Sequence, residues 1–287
     1  MTDVRIQDFS ENSKPDTNND FLMTFNDSSE SKTRLKDAFY SLVPDGAPTH
    51  NNVFRGQNLG ALNSTHIANI QNGSFHDMFI GDYFSINGSN YVIADINYKK
   101  GHGDTTALGN HLLLMPTDYS KTPTQTLAPD GKTTHYMNDT DTTAGGFAGS
   151  KLYKTYLPQI QQKLEVDFGS HLLNFREVVS THVDDSGAPD KAEWRDAKVA
   201  IPSETMINGT IINGNNKNGS WYNIGDDVSQ LALMRLNSEE RNFHRQAIWL
   251  RDIHSSSEFA YVTGSGDDAW YGASNAFAGI RAFFLIG

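Results

Sequence analysis

Five Asn-Gly pairs constrain the fold of this chain more than any other feature. They begin at Asn72, Asn87, Asn208, Asn213 and Asn218, and short apolar and β-branched runs lie between them. Asn-Gly is a preferred pair for tight hairpin turns, because both residues tolerate a positive φ. Only three or four stretches have helical periodicity, and they do not alternate regularly with the strand-like runs. The pattern therefore predicts an α+β fold rather than a repeat of βαβ units.

The clearest strand signals lie in the middle and at the end of the sequence. FIGDYFSINGSNYVIADINY alternates apolar and polar residues around Asn87-Gly88, which predicts a hairpin. HLLLMP, at residues 111–116, predicts a buried strand. The terminal GIRAFFLIG is apolar and β-prone, and it would fray unless it paired inside a sheet. We therefore expect a final strand in the core, where Arg281 needs either a buried partner or a path to the surface.

Three segments have the apolar spacing of helices. They are residues 33–43, 63–73 and 149–169. In the second segment, Ser64 has the residue type of an N-cap. In the third segment, Pro158 is expected to start a second helix, because proline is well tolerated in a first helical turn.

The first 32 residues differ in composition from the rest of the chain. Residues 1–32 are rich in Asp, Asn, Ser and Thr, and only short apolar clusters such as Phe21–Met23 interrupt them. This composition is typical of a flexible arm, or of an arm that becomes ordered on a neighbouring subunit. We therefore predict a flexible or assembly-ordered N-terminal arm at 1–32 and one domain at 33–287.

Composition excludes several classes of function. The chain has no cysteine, which excludes disulfides, thiolate metal sites and cysteine nucleophiles. The formal net charge is −11 and no basic patch is visible, so we expect no nucleic-acid partner. No stretch approaches the ~18 apolar residues of a membrane helix. The opening MTDVRIQDFSENSK lacks the apolar segment of a signal peptide. We therefore expect a protein that is made in a cytoplasm and does not insert into a membrane.

Catalytic motifs are absent from the sequence. It contains no G-x-S-x-G, no P-loop and no H-E-x-x-H, and we expect that the protein is not an enzyme. Three acidic pairs, Asp184-Asp185, Asp226-Asp227 and Asp267-Asp268, lie in turn-like contexts and carry oxygen atoms that suit Ca²⁺. None has the spacing of a known calcium loop, so we expect no cofactor and no metal.

The segment 257–277 has the composition of a binding surface. It reads as a strand, a tight turn and then a loop, with aromatic residues among Ser, Gly and Asp. Exposed Trp and Tyr provide contact area at a low entropy cost, while Ser, Gly and Asn provide adaptable hydrogen bonds. The same combination suits the faces of sugars. The candidate ligand-binding residues are Trp249, Arg251, Tyr261, Asp267, Asp268, Trp270, Tyr271 and Asn275. The alternative is that Trp249, Phe259 and Trp270 are core residues.

A series of short segments identifies a related group of domains. WLRD at 249–252 is followed by an aromatic, glycine-rich stretch and then by GIRAFFLIG at 279–287. Upstream lie FRGQNLG, IQNGSFHDMFIGDYFSING, GSKLY, FGSHLL and IPSETMING. In this order the segments resemble C-type-lectin-like domains of bacteriophage and bacterial proteins, especially of phages that infect Gram-positive bacteria. The resemblance spans about residues 50–287. Ala282 follows Arg281, where many relatives have proline.

The resemblance implies both a fold and a location. The fold is C-type-lectin-like, with a small twisted antiparallel sheet, flanking helices and paired terminal strands. The location is a virion, on the tail, the baseplate or the capsid surface, after synthesis in the host cytoplasm. The stretch before the last strand faces outward in such domains. The calcium-dependent sugar site of animal lectins is not implied, because its acidic motifs and disulfides are missing here.

Three functions remain open on this basis. The first is a virion protein that is fastened to other virion proteins through its arm, forms a homo-oligomer and binds host cell-wall glycan. The second is a capsid or tail decoration protein without a ligand. The third is a cell-wall polysaccharide hydrolase, which no spacing of acidic residues supports.

Overall fold

The computed structural model describes residues 21–25, 30–104, 108–117, 131–215 and 229–287. Contacts within the chain divide it into two compact units, Met1–Asp45 and Gly46–Gly287. The division falls after the helix predicted at 33–43, whereas the sequence analysis placed a boundary after residue 32.

The first unit contains a β-hairpin and a helix. Its elements are β1 (Phe21–Phe25), β2 (Glu30–Arg34) and α1 (Leu35–Ser41). The two strands are antiparallel partners. Two large apolar side chains of this unit, Phe39 and Leu42, are 58% and 80% exposed. Residues 1–20 and 26–29 of the predicted arm lie outside the described residues.

The second unit contains three sheets among its described residues. The six-stranded sheet has the order β3 (Asn58–Gly60), β4 (Tyr83–Ile86), β5 (Ser89–Ile96), β6 (Leu112–Pro116), β13 (Phe283–Ile286) and β9 (Val199–Ala200). A two-stranded sheet joins β7 (Phe175–Val183) to β8 (Pro189–Ala197). A three-stranded sheet consists of β10 (Ile248–Ile253), β11 (Glu258–Val262) and β12 (Asp268–Gly272).

The helices of the second unit are mostly short. They are α2 (Ala47–His50), α3 (Ser64–Gln71), α4 (Gly146–Gly149), α5 (Leu157–Phe168), α6 (Glu204–Asn208) and α7 (Ala232–Leu236). A π-helical turn, Leu152–Tyr156, precedes α5, and 3₁₀ turns occupy Gly169–His171 and Ser238–Arg245. The mixture of several sheets with few helices confirms the predicted α+β class.

The terminal strand β13 lies inside the six-stranded sheet, as predicted. All four of its residues are buried. Phe284 contacts Phe168 of α5 at a ring-centroid distance of 4.9 Å, and its neighbour Phe283 stacks on Phe175 of β7 at 5.7 Å. Successive side chains of a strand point to opposite faces, so both faces of the sheet are covered here. This double burial explains the unbroken apolar runs of β6 and β13.

The predicted pairing of the terminal strands is wrong. The last strand, β13, is antiparallel to β6 and β9, whereas β3 lies at the opposite edge of the sheet and pairs in parallel with β4. A run that is apolar on both faces is stable only in the interior of a sheet. The Asn-Leu-Gly sequence of β3 is partly exposed, which suits an edge.

Arg281 has the buried partner that its position requires. Its Nη2 atom lies 2.6 Å from a carboxylate oxygen of Glu240, and Nη1 donates to the Glu240 carbonyl oxygen at 2.7 Å. The side chains of Arg281 and Glu240 are 1% and 3% exposed. The ion pair compensates the two buried charges and ties the 3₁₀ turn at 238–245 to the terminal segment.

Most of the predicted turns and helix ends are confirmed. Asn87 and Gly88 have positive φ angles of 49° and 77° in the turn between β4 and β5. Pro158 lies in the first turn of α5. The prediction that Ser64 is an N-cap is wrong, because Asn63 accepts the backbone N–H of His66 and is itself the cap. Asparagine and serine cap equally well, so the choice depends on backbone geometry.

Candidate ligand-binding surface

The three-stranded sheet carries the chain from the core to the surface. Five of the six residues of β10 are buried, whereas β12 contains no buried residue. Backbone hydrogen bonds anchor β10, since Trp249 N–H donates to Gly279 at 3.0 Å and Arg251 N–H donates to Pro202 at 3.1 Å. Among the described residues β12 pairs only with β11, so it forms the outer edge.

The predicted loop at 268–272 is a strand, which corrects the interpretation of this segment. Asp268 lies opposite Val262 and Gly272 lies opposite Glu258. The turn between the two strands is closed by Thr263, whose N–H donates to the Asp267 carbonyl oxygen at 2.7 Å. The glycine-rich composition suggests a loop, yet the turn residues are only those between Val262 and Asp268.

Strand alternation places Trp270 and Tyr271 on opposite faces of β12. Trp270 is paired with Ala260 and Tyr271 with Phe259, so each aromatic residue shares a face with a different set of neighbours. Five of the eight predicted binding residues therefore fall into two separate clusters. We call them the Trp270 surface (Asn208, His254, Asp268 and Trp270) and the Tyr271 cluster (Trp249, Tyr261, Tyr271 and Phe277).

Trp270 presents an aromatic ring to solvent. The residue is 45% exposed. Its ring stacks on that of His254 with a centroid distance of 4.3 Å and an interplanar angle of 17°. Because His254 covers one face of the indole, the exposed part comprises the other face and the ring edge. A flat, supported aromatic face of this kind suits contact with the apolar side of a ligand.

His254 is held in one orientation by the neighbouring loop. Its Nδ1 atom lies 2.7 Å from the Asn213 carbonyl oxygen. A carbonyl oxygen can only accept, so Nδ1 carries a hydrogen, and in the neutral ring Nε2 is then a hydrogen-bond acceptor. The arrangement places an acceptor nitrogen in the ring that stacks on Trp270.

A buried carboxylate fixes the loop that contacts His254. Glu204, at the start of α6, is fully buried. Its carboxylate accepts backbone N–H groups from three successive residues, Ile212, Asn213 and Gly214, at distances of 2.7 to 3.1 Å. Such charge-assisted bonds to backbone amides are stronger than neutral ones. Glu204 therefore acts as a positioning residue, through Asn213 and His254, for the ring of Trp270.

Polar groups lie beside the aromatic ring. The Asn208 side-chain amide donates to Asp268 at 2.6 Å. Burial raises the pKa of Asp268, and the charge of Asp267 acts in the same direction, while the bond from Asn208 opposes them. Asp267 is exposed, and its carboxylate accepts the Ser265 hydroxyl at 2.7 Å. The Asn208 Oδ1 atom is buried, so the surface combines the aromatic face with the carboxylate of Asp268, which Asn208 holds in place.

The Tyr271 cluster runs from the surface into the core. Tyr271 is 48% exposed and contacts Phe277 at a ring-centroid distance of 4.8 Å. Phe277 in turn contacts Tyr261 at 4.6 Å and Trp249 at 5.1 Å. These rings support one another, and only Tyr271 projects substantially into solvent. Burial raises the pKa of Tyr261.

Three of the predicted candidates have contacts that are structural in nature. Trp249 is fully buried, and its indole N–H donates to the His135 carbonyl oxygen at 2.7 Å, so it is a core residue. Arg251 forms an ion pair with Glu177 at 2.6 Å. The Asn275 side chain donates to the Gly272 carbonyl oxygen at 3.3 Å, which supports the end of β12. None of the three belongs to the Trp270 surface.

Sequence reasoning did not assign His254 and Asn208 to this surface or identify Glu204 as its support. The three residues lie far from Trp270 in the chain, and each is an ordinary polar residue in its own segment. The segment IPSETMING contains both Glu204 and Asn208, but it indicated only a turn at Asn208-Gly209 and a resemblance to other domains.

Among the residues that the structure describes, no group of three or more His, Cys, Asp and Glu side chains is arranged to hold a metal ion. Within the same part of the chain, no helix combines the length and the apolar character that crossing a membrane requires. The acidic pair Asp226-Asp227 lies outside the described residues.

Comparisons with known proteins give no match. No family model, no curated protein sequence and no solved structure matches this chain.

Proposed function

We propose that this protein is a structural component of a bacteriophage particle that displays the Trp270 surface for binding host cell-wall glycan. The observation that carries the proposal is the exposed indole of Trp270, supported by His254 and flanked by Asn208 and Asp268. An aromatic face contacts the apolar face of a sugar ring, and the polar neighbours exchange hydrogen bonds with its hydroxyl groups.

The display geometry supports a binding role. The surface lies on an outer strand, and the two strands beneath it connect it to the core. The bonds from Glu204 to its loop hold the surface in place before any ligand arrives. Such preorganisation reduces the entropy that binding must overcome. The proposal assigns no catalytic residue, no metal and no cofactor.

The placement in a virion rests on the resemblance of the sequence to C-type-lectin-like domains of phages. The α+β architecture is compatible with that fold. We propose a C-type-lectin-like fold on the same basis, with a last strand that lies between β6 and β9 instead of pairing with a first strand. We further propose that the domain forms homo-oligomers, as display proteins of symmetric particles do.

Attachment to the particle is assigned to the N-terminal unit. Phe39 and Leu42 are exposed apolar side chains near the predicted arm, and exposed apolar groups of this size suit contacts with other virion proteins. Deletion of residues 1–45, the whole N-terminal unit, should abolish incorporation of the protein into particles. Normal incorporation of the deleted protein would contradict this assignment.

The host-binding role is tested on particles that carry variant protein. The double variant Trp270→Ala, Tyr271→Ala should adsorb to host cells at least about tenfold more weakly, a loss of about 1.4 kcal/mol. Val166→Ala is the matched control, because Val166 is an apolar side chain of α5 that is 78% exposed. Both variants should assemble normally. Undiminished adsorption of the double variant would reject glycan binding and favour decoration without a ligand.

A further inference from the structure

A concave site, separate from the Trp270 surface, lies between α3 and the end of α5. It is a pocket with a volume of about 420 Å³, which is within the range of small-molecule sites. Its lining residues are Ala61, Leu62, Asn63, Ser64, Ile67, Ala68, Gln71, Ile86, Asp167, Phe168 and His171. The pocket shares no residue with the Trp270 surface or with the Tyr271 cluster.

The pocket combines apolar and uncharged polar groups. Ile67, Ile86 and Phe168 contribute apolar surface, and Ile67 and Phe168 are themselves core residues. On the polar side, the side chains of Ser64 and Gln71 form no hydrogen bond to any other residue that the structure describes. Both side chains are exposed and belong to α3. They are therefore free to exchange hydrogen bonds with a bound molecule.

The one carboxylate of the pocket is already compensated. The Asp167 side chain is 2% exposed and lies 2.6 Å from the Lys163 ammonium group. It also accepts the Asn87 side-chain amide at 2.9 Å and the Tyr91 hydroxyl. Burial raises the pKa of Tyr91, as does Asp167, so the phenol remains a donor. The carboxylate has little remaining attraction for a cation. The lining contains no lysine or arginine, and its one basic group is His171, whose Nδ1 atom lies 3.3 Å from the Gly287 carbonyl oxygen.

We infer that this pocket binds a small neutral molecule that carries several hydroxyl groups and one apolar side, such as a sugar unit. The apolar floor accommodates the apolar side of the molecule. The side chains of Ser64 and Gln71 exchange hydrogen bonds with its hydroxyl groups. A cationic ligand would lose its hydration without gaining a free carboxylate, so the pocket should discriminate against it.

The experiment is an amide chemical-shift titration of the full chain with a fixed panel of probes. The neutral probes are methyl glucoside, N-acetylglucosamine and maltose, and the cationic probe is glucosamine. At least one neutral probe should give saturable shifts at residues 61–71 and 167–171, and glucosamine should bind at least about tenfold more weakly. The inference is overturned if no neutral probe shifts these residues, or if glucosamine binds equally well.

Two variants and one control locate the binding site. Ala68→Trp fills the pocket from the exposed side of α3 and should abolish the shifts. Gln71→Leu removes a hydrogen-bonding group without closing the pocket, and it should weaken binding about fivefold. Gln162→Trp places the same bulk on an exposed position of α5 outside the lining and should leave binding unchanged. The site would be refuted if Gln71→Leu bound the neutral probe as tightly as the wild type and Ala68→Trp also bound it. Trp270→Ala should not change these titrations, which separates this site from the proposed glycan surface.

Discussion

Several buried carboxylates hold segments of this molecule in place through backbone N–H groups. Glu204 accepts N–H groups from residues 212–214, and Asp95 accepts the N–H of Ala232 at 2.9 Å. A carboxylate in such a position removes several unsatisfied donors at once. Both residues are buried, and Glu204 fixes the loop that contacts His254.

Replacing Glu204 by glutamine should weaken both stability and the Trp270 surface. The Glu204→Gln side chain presents an NH₂ group to a backbone N–H that needs an acceptor, so we expect a loss of about 1–3 kcal/mol in the free energy of unfolding. Urea denaturation measures the loss. Glu239→Gln, on an exposed side chain, should be neutral. Equal stability of the two variants would contradict the positioning role.

Asp95 should make stability depend on pH. Burial raises its pKa from 3.8 to about 7, although hydrogen bonds from Ala232, Ile96 and Asn51 and the charge of Arg235 oppose the rise. Between these values the native state holds a proton that the unfolded chain has lost. This contribution to stability is therefore complete below about pH 4 and disappears as the pH rises through 7. At about 1.4 kcal/mol per pKa unit, the change is on the order of 4 kcal/mol.

The measurement compares the wild type with Asp95→Asn by urea denaturation between pH 4 and pH 8. The wild type should lose stability relative to the variant as the pH rises. Burial lowers the pKa of His111 to about 4, so its stabilising effect is lost as the pH falls below 6.5. This effect is present in both proteins, and it cancels when the stability of the variant is subtracted from that of the wild type. A difference that does not change with pH would show that Asp95 titrates at its ordinary pKa.

At the scale of elements, α4 depends on a close backbone contact with β7. Gly146 has a φ of +65°, and a Cβ atom there would overlap the Ser180 carbonyl group. The Ser180 hydroxyl also accepts the N–H of Phe147 at 2.8 Å. The helix can approach the strand only because residue 146 has no side chain.

Gly146→Ala should therefore destabilise the protein by more than about 1 kcal/mol, because both the φ angle and the contact resist a side chain. Thermal unfolding followed by circular dichroism measures the effect. Gly149→Ala in the same short helix is the control, since a Cβ at Gly149 would meet nothing within 4 Å. If both variants unfold at the same temperature, the close contact is not a constraint.

Local sequence patterns predicted the elements better than their arrangement. The turn at Asn87-Gly88, the buried strand at 112–116 and the burial of the last strand were predictable, because turn preference and apolar run length act locally. The pairing partners of β13 were not predictable, because strand pairing depends on contacts between segments that are distant in the chain. The same limit hid His254 from the site, while Trp270 was found from its composition alone.

At the scale of the whole molecule, the core of the second unit serves as a platform for one exposed strand. The strands β10, β11 and β12 carry the chain from the buried Trp249 to the exposed Trp270 within one small sheet. A rigid sheet positions a binding surface more precisely than a loop does. This is the physical basis for proposing display as the function.

The most direct test of glycan binding is an isotherm of the full-length protein on purified cell-wall polysaccharide from Gram-positive bacteria, with and without EDTA. We predict saturable binding that is the same with and without EDTA. Trp270→Ala should weaken this binding at least about tenfold, and Val166→Ala should not change it. Absence of saturable binding, or equal affinity of the wild type and Trp270→Ala, would contradict the account. Loss of binding in EDTA would contradict the metal-free site and direct attention to the acidic pairs.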